Sequence, residues 1–202
     1  MDTWEIEGHT LEFIEDAHVY LYDGVILQSI TQILKTKFGK KYDGIDKATL
    51  NRASELGTQT HEAIERYCRY GEESDIQELR NFKFLQKQYG FNVIYNEIPV
   101  VLHDDSGQPI SAGRLDMVIS MDGKNGLADV KRTSTLDKEY LAYQLNLYRI
   151  AYIQTYSTKE YPASIDFLRG IHLRENIRKF VPIPINEEMA WSLIEEWRLK
   201  NE

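Results

Sequence analysis

Cysteine is almost absent from this chain of 202 residues, which contains only Cys68. A single cysteine excludes a disulfide within the chain, and it also excludes a four-cysteine zinc site or iron–sulfur cluster. No run of about 18 apolar residues occurs. The opening MDTWEIEGHT also lacks the basic and apolar pattern of a secretory signal. We therefore expect a soluble, cytoplasmic protein without a membrane partner.

Positive charge is also in deficit, because 24 Lys and Arg residues against 32 Asp and Glu residues give a formal net charge of −8. A strongly acidic protein is a poor match for nucleic acid unless its basic groups are concentrated locally. Two stretches, 35–41 (KTKFGKK) and 173–180 (LRENIRKF), could form such a locally basic groove. Ordinary solvated charge explains either stretch equally well, so a nucleic-acid partner stays open.

The hydrophobic content of 42% is sufficient for one sizeable core, and thirteen tyrosines argue against disorder. Periodicity and turn residues predict one α/β domain over 1–202, with an N-terminal hairpin and short-helix extension over 1–45, a core over 46–185 and a C-terminal helix over 186–202. The elements predicted in chain order are a hairpin turning at Asp23-Gly24, a short helix from Ser29, helices over 46–70 and 74–89, strands over 92–102, 110–120 and 126–132, a helix over 137–156, strands over 164–172 and 178–184, and a helix over 187–200.

The helix over 46–70 carries apolar and small residues at helical spacing. Gly57 lies inside it and costs about 1 kcal/mol relative to alanine unless something packs closely there. The residues of the predicted packing stripe are Ala53, Leu56, Thr60, Ala63, Ile64 and Tyr67.

Acidic residues interrupt two strands that are otherwise apolar. Asp116 lies in GRLDMVIS, and Asp129 lies in GLADVKR two residues before Lys131, so Asp129 and Lys131 share one face of their strand. Neighbouring antiparallel strands can bring Asp116 and Asp129 to one cation, and Mg²⁺ accepts one or two carboxylates together with water and phosphate. A solvent-facing Asp116 and a plain Asp129–Lys131 ion pair are the simpler alternatives.

Other polar residues could join this pair of aspartates. Gln144 and Tyr148 are four apart on a predicted helix and share a face, although Tyr148 could equally belong to the packing stripe. His61, in GTQTHEAIERY, could complete a metal site, although a lone helical histidine is more often structural. The segment lacks the second histidine of an H-E-x-x-H zinc helix. Glu97, in IYNEIPVV, is another acid within an apolar strand and could approach the same centre.

In order and spacing, this set resembles the PD-(D/E)XK nuclease superfamily. The matching residues are the helical His61, Asp116, the DVK triplet at 129–131 and Gln144-x-x-x-Tyr148. More narrowly, the chain resembles the RecB-type exonuclease branch in its single-domain phage and prophage form, over about residues 18–185. It departs from the pattern because no proline precedes Asp116, the four cysteines of iron–sulfur relatives are absent, and no helicase P-loop occurs.

The resemblance implies a restriction-endonuclease-like core, in which helices flank a central mixed β-sheet in the order αβββαβ. It implies a Mg²⁺- or Mn²⁺-dependent DNA exonuclease without an iron–sulfur cluster, acting in phage or prophage recombination or in DNA repair. A single-strand annealing or binding protein is a plausible partner, an oligomer is possible, and the location would be the cytoplasm of a bacterium or phage-infected host. The implied ligands are His61, Asp116, Asp129 and the Val130 carbonyl, with Lys131 positioning water, Gln144 and Tyr148 holding the lysine or DNA, and Glu97 in support.

Two alternatives to an exonuclease remain. A nuclease fold can serve as a non-catalytic DNA-end-binding or scaffold protein, and a structure-specific endonuclease uses the same chemistry. Only an endonuclease cuts covalently closed circular DNA.

Overall fold

The chain forms an α/β structure with a mixed β-sheet, and the computed structural model describes residues 2–15, 17, 19–41 and 43–201. His18, the first residue of the predicted hairpin segment, lies outside these ranges. Within them the elements are β1 (Asp2–Ile6), β2 (His9–Ile14), β3 (Val19–Tyr22), β4 (Val25–Ser29), α1 (Ile30–Phe38), α2 (Lys47–Tyr70), α3 (Gln77–Tyr89), β5 (Asn92–His103), β6 (Pro109–Met121), β7 (Lys124–Lys131), α4 (Lys138–Tyr156), β8 (Phe167–Arg174), β9 (Ile177–Ile183) and α5 (Glu187–Asn201).

The N-terminal extension is larger than the single hairpin that the sequence predicts. The hairpin at Asp23-Gly24 is confirmed, and both turn residues have positive φ, at 49° and 79°. A second hairpin, β1–β2, precedes it, so that β1 to β4 form an antiparallel meander. Its turn is Glu7-Gly8, and glutamate lacks the short side chain with which Asp or Asn marks such a turn in a sequence.

Local capping residues set the helix ends close to the predicted positions. The Ser29 backbone N–H donates to the Gln32 side chain at 2.7 Å, while the Ser29 hydroxyl accepts from the Gln32 N–H, a capping box at the start of α1. The Asp46 carboxylate accepts from Thr49 N–H at 2.9 Å at the start of α2. That helix ends at Gly71, which adopts a φ of 69°.

The longest strand, β6, organises the central sheet. On one edge it pairs antiparallel with β5. On its other edge it pairs parallel with β4 at Ser111 and Ala112, and antiparallel with β7 from Met117 onward. Residues 113–116 lie between these two partners and pair with neither. The sheet continues from β7 to β8 in parallel and from β8 to β9 in antiparallel orientation.

Helices cover both faces of this sheet. One buried apolar cluster joins α1, α4 and α5 to the strands, and a second joins α2 and α3 to them. A third, smaller cluster lies under the N-terminal meander. In the part of the chain that the structure describes, no helix combines the length and apolarity needed to span a membrane.

Candidate metal centre and cleft

His61 projects from α2 toward the end of β7. Its Nε2 donates a hydrogen bond to the Val130 carbonyl at 3.0 Å. Its Nδ1 lies 3.6 Å from Asp116 Oδ2 and 3.7 Å from Glu97 Oε1. Burial lowers the pKa of His61, but the charges of these two carboxylates outweigh it and raise the pKa to about 9. A carbonyl that holds one ring nitrogen leaves the other to face the acids, which is the usual arrangement of a metal-binding histidine.

Glu97 reaches the same point from β5 through an unusual backbone conformation. Its φ is 50°, in the left-handed region that non-glycine residues rarely adopt. The flanking pairs Asn96↔Met117 and Ile98↔Leu115 put it opposite Asp116 on β6. Arg114 Nε lies 2.8 Å from its Oε2, so an ion pair fixes the carboxylate.

Asp116 lies in the part of β6 that pairs with neither β4 nor β7, and its Oδ2 accepts a hydrogen bond from Val130 N–H at 2.7 Å. Burial raises the pKa of this carboxyl, and the charge of His61 opposes that rise. One ligand atom from each of His61, Glu97 and Asp116 lies within 4.8 Å of the other two. Three segments distant in sequence therefore present an imidazole and two carboxylates to one point.

Asp129 and Lys131 form an ion pair beside this group, with Lys131 Nζ 2.7 Å from Asp129 Oδ2. Asp129 is only 2% exposed, and its Oδ1 has no hydrogen-bond partner among the described residues. Burial, and then the charge of Asp116, raise the pKa of Asp129. Burial lowers the pKa of Lys131, but Asp129 and Asp116 hold it above its ordinary value. Lys131 is therefore a charged ammonium at neutral pH.

Gln144 and Tyr148 lie one turn apart on α4, and both are buried. Gln144 Oε1 has no hydrogen-bond partner within the described ranges. The Tyr148 ring packs on Gly113, where an added Cβ would lie 2.8 Å from Tyr148 Cε1. Burial holds the pKa of Tyr148 well above its usual value, so its hydroxyl stays protonated and can donate a hydrogen bond.

Most of the residues that the sequence singles out as candidates line one cleft of about 640 Å³. It is lined by His61, Glu97, Asp116, Val130, Lys131, Gln144 and Tyr148. Asp129 is not among its walls and does not join the close group of three. Glu97, which the resemblance implies only in a supporting role, is the third member of that group. The Val130 carbonyl accepts a hydrogen bond from His61.

Sequence reasoning missed two arginines at this site. Arg114 precedes Asp116 by two residues, and this spacing on a strand could have indicated a shared face. Arg132 is only 7% exposed, and its Nε lies 2.7 Å from Glu78, which is equally buried. No local signal could reveal that pair, because 54 residues separate its members.

The donor set suits a hard divalent cation. Carboxylates favour Mg²⁺ and Mn²⁺, and one imidazole is compatible with them. Glu62 and Glu65 also line the cleft, so its lining is strongly acidic around His61. The unpartnered oxygen of the buried Asp129 carboxylate would be costly to leave without a cation or donor. The residues present therefore fit a divalent metal.

Comparison with known proteins adds a structural likeness only. No protein family matches the chain by its sequence, and no curated protein matches it. The chain is similar to the solved structure described as "Crystal structure of SSO0001", with a TM-score of 0.48 and 14% sequence identity over 86% of this chain and 76% of that chain. A likeness at this level carries no argument about function.

Proposed function

We propose that this protein is a divalent-metal-dependent deoxyribonuclease with a restriction-endonuclease-like core, of the RecB exonuclease type within the PD-(D/E)XK superfamily. One observation carries the proposal. The close group of His61, Glu97 and Asp116 lies in the same cleft as Lys131, which Asp129 holds in an ion pair. A metal ion at this site would activate a water molecule, and the lysine ammonium beside it would offset the charge that develops on a phosphodiester.

Mg²⁺ or Mn²⁺ would be held by His61 Nδ1 and by the carboxylates of Glu97 and Asp116, with Asp129 next to them. When bound, such an ion polarises a phosphoryl oxygen and makes a water molecule easier to deprotonate. A bound metal ion would also offset the negative charge of the cleft, which by itself repels a phosphate.

The side chains around the metal group have separable roles. The Lys131 ammonium, 23% exposed beside Asp129, offsets the negative charge that develops on the phosphate oxygens. The Val130 carbonyl orients the His61 ring through the Nε2 hydrogen bond. Tyr148 offers a neutral hydroxyl, and Gln144 an amide whose oxygen is still unpaired, for contacts with the DNA strand or an ordered water.

Digestion of labelled DNA tests the proposal. Purified protein is incubated with end-labelled linear duplex, linear single-stranded and covalently closed circular DNA, with Mg²⁺, with Mn²⁺ and with EDTA. We expect metal-dependent loss of nucleotides from linear DNA and no cutting of the circle. Lys131→Ala and Asp116→Asn should each lower the rate by about 10²-fold or more, the usual effect of removing one electrostatic contact at a reacting centre.

Matched controls separate loss of chemistry from loss of folding. Asp122→Asn, in the β6–β7 turn, and Lys124→Ala, at the first residue of β7, make the same replacements outside the cleft and should leave the rate unchanged. Cutting of the circle would make the protein an endonuclease instead. Folded protein that binds DNA ends with Mg²⁺ but degrades no substrate would be the non-catalytic binding protein, and the proposed activity would be wrong.

A further inference from the structure

A second chamber of about 560 Å³ adjoins the acidic cleft. It lies between the start of α2, the residue Lys41 that follows α1, and the loop from Arg132 to Asp137 that leads into α4. The cleft and the chamber share four wall residues, which are Ala53, Lys131, Arg132 and Thr133. A molecule whose phosphate reaches Lys131 from the cleft can therefore extend directly into the chamber.

The α2 side of the chamber is mostly apolar, and none of the residues that form it is buried. The residues at helical spacing in α2 begin at Ala53, but only Thr60 and Ile64, both in the second half of this helix, are buried. Ala53 is exposed and Leu50 only partly covered, while Ile45, just before the helix, is 44% exposed. Leu50 and Ala53, in the first turns of α2, therefore present apolar side chains to the chamber instead of to a core.

The opposite wall is held in place by buried polar contacts. Arg132 pairs with Glu78, and His172 Nε2 donates to the Thr133 carbonyl at 2.7 Å. Thr133 Oγ1 in turn donates to the Thr135 carbonyl at 2.9 Å. Because these contacts fix the loop to α3 and β8, this wall of the chamber is already formed before a ligand binds. Such preorganisation lowers the entropic cost of binding.

The chemistry of the chamber differs from that of the cleft. Its walls include the Tyr140 ring, with Lys41 Nζ 4.3 Å from the ring centroid, together with Arg174 and several hydroxyl groups. A nucleoside has flat apolar base faces, a polar sugar and an adjoining phosphate. Those three parts match an apolar and aromatic wall, threonine and serine hydroxyls, and Lys131 at the junction with the cleft.

We propose that the chamber binds the nucleoside that adjoins the scissile phosphate of one DNA strand. This inference rests on the proposed nuclease function and adds to it a base-binding subsite and a preference for an unpaired end. A base can enter the chamber only when it is no longer stacked and paired in a duplex. The protein then binds the substrate strand through a base in the chamber as well as through a phosphate in the cleft.

Abasic substrates test this subsite directly. Single-stranded oligonucleotides carry one abasic residue at the first or second nucleotide from the degraded end, and kcat/KM is compared with that for the intact strand. The phosphodiester bonds are the same in all substrates. We expect kcat/KM to fall by about 10- to 100-fold at one of the two positions, the range that base stacking on protein side chains supplies.

A variant pair assigns the effect to the chamber. Ile45→Ala should lower kcat/KM for the intact strand and shrink the difference between intact and abasic strands. Ile185→Ala replaces an isoleucine of similar exposure, at 40% against 44%, outside both cavities, and should change neither value.

The possible failures are distinguishable. Equal cleavage of intact and abasic strands, or an unchanged ratio in Ile45→Ala, would overturn the base-binding chamber and leave the nuclease function standing. Absence of metal-dependent cleavage of every strand by folded protein would overturn the nuclease function, and the chamber proposal with it.

Discussion

Substitution of Gly57 tests whether this part of the cleft wall is open to substrate, and the test does not depend on a metal. It lies in the interior of α2 and lines the cleft. Apart from its chain neighbours and the backbone of its own helix, no atom of the described residues lies within 4 Å of the position that a Cβ would occupy. Glycine inside a helix is destabilising because its backbone loses more conformational freedom on folding than that of any other residue. Since none of the described residues packs against this position, we infer that the glycine keeps this part of the cleft open.

The expected effect of Gly57→Ala on stability follows from these two facts. Alanine is favoured over glycine in a helix interior by about 1 kcal/mol, and no clash opposes it here. The free energy of unfolding should therefore rise by about 1 kcal/mol. For a chain of this size the midpoint of thermal unfolding should rise by about 2–4 °C.

Activity should change in the opposite direction. Gly57 and His61 are four residues apart, so the new methyl group lies on the helix face that carries the candidate metal ligand. It occupies part of the space through which a substrate approaches, and KM should rise while the fold becomes more stable. Urea unfolding followed by circular dichroism measures the first effect, and nuclease assays over a range of DNA concentrations measure the second.

Ser54→Ala is the matched control, because Ser54 lies in the same helix, exposed and outside the cleft. It should give a smaller gain in stability and no change in KM. A loss of stability in Gly57→Ala would refute the reasoning, because it would mean that α2 packs closely at this position. A gain in stability with unchanged KM would show that the substrate does not pass through this part of the cleft.

Three further substitutions or modifications give clear outcomes. Gly113→Ala should lower the free energy of unfolding by about 1–3 kcal/mol in urea titrations, because its Cβ would overlap the Tyr148 ring; unchanged stability would mean that the ring can move aside. Glu97→Gly should be about 1–2 kcal/mol more stable than Glu97→Ala in urea titrations, because a φ of 50° costs glycine less than any residue with a Cβ. Neither variant should bind Mn²⁺ tightly in calorimetry, and equal stability of the two would show that the backbone at this position is not strained. Burial raises the pKa of Cys68 to about 11, so the native thiol should react with iodoacetamide at pH 8 far more slowly than the thiol in urea, and equal rates would contradict its burial.

Local chemistry explains which parts of the fold the sequence predicts. The Ser29 and Asp46 caps, the Gly71 stop and the Asp23-Gly24 turn each act within a few residues, and all four lie where the pattern indicates. The pairing of β4 with β6 involves two residue pairs separated by 83 positions, and nothing in either segment encodes it. The exposure of Ala53 in the first turns of α2 could not be predicted either, because periodicity indicates an apolar stripe and not what covers it.

Glu97 shows the same limit within the candidate site. Its neighbours predict an ordinary strand residue, and the positive φ depends on contacts from outside β5. Arg69 donates to the Asn96 carbonyl at 2.8 Å, and Arg114 pairs with the Glu97 carboxylate. A conformation that costs about 1–3 kcal/mol persists only where surrounding contacts impose it, and such residues concentrate at functional sites. The strain thus favours Glu97 over Asp129 as the third candidate ligand, because Asp129 occupies an ordinary strand position and lies outside the close group of ligand atoms.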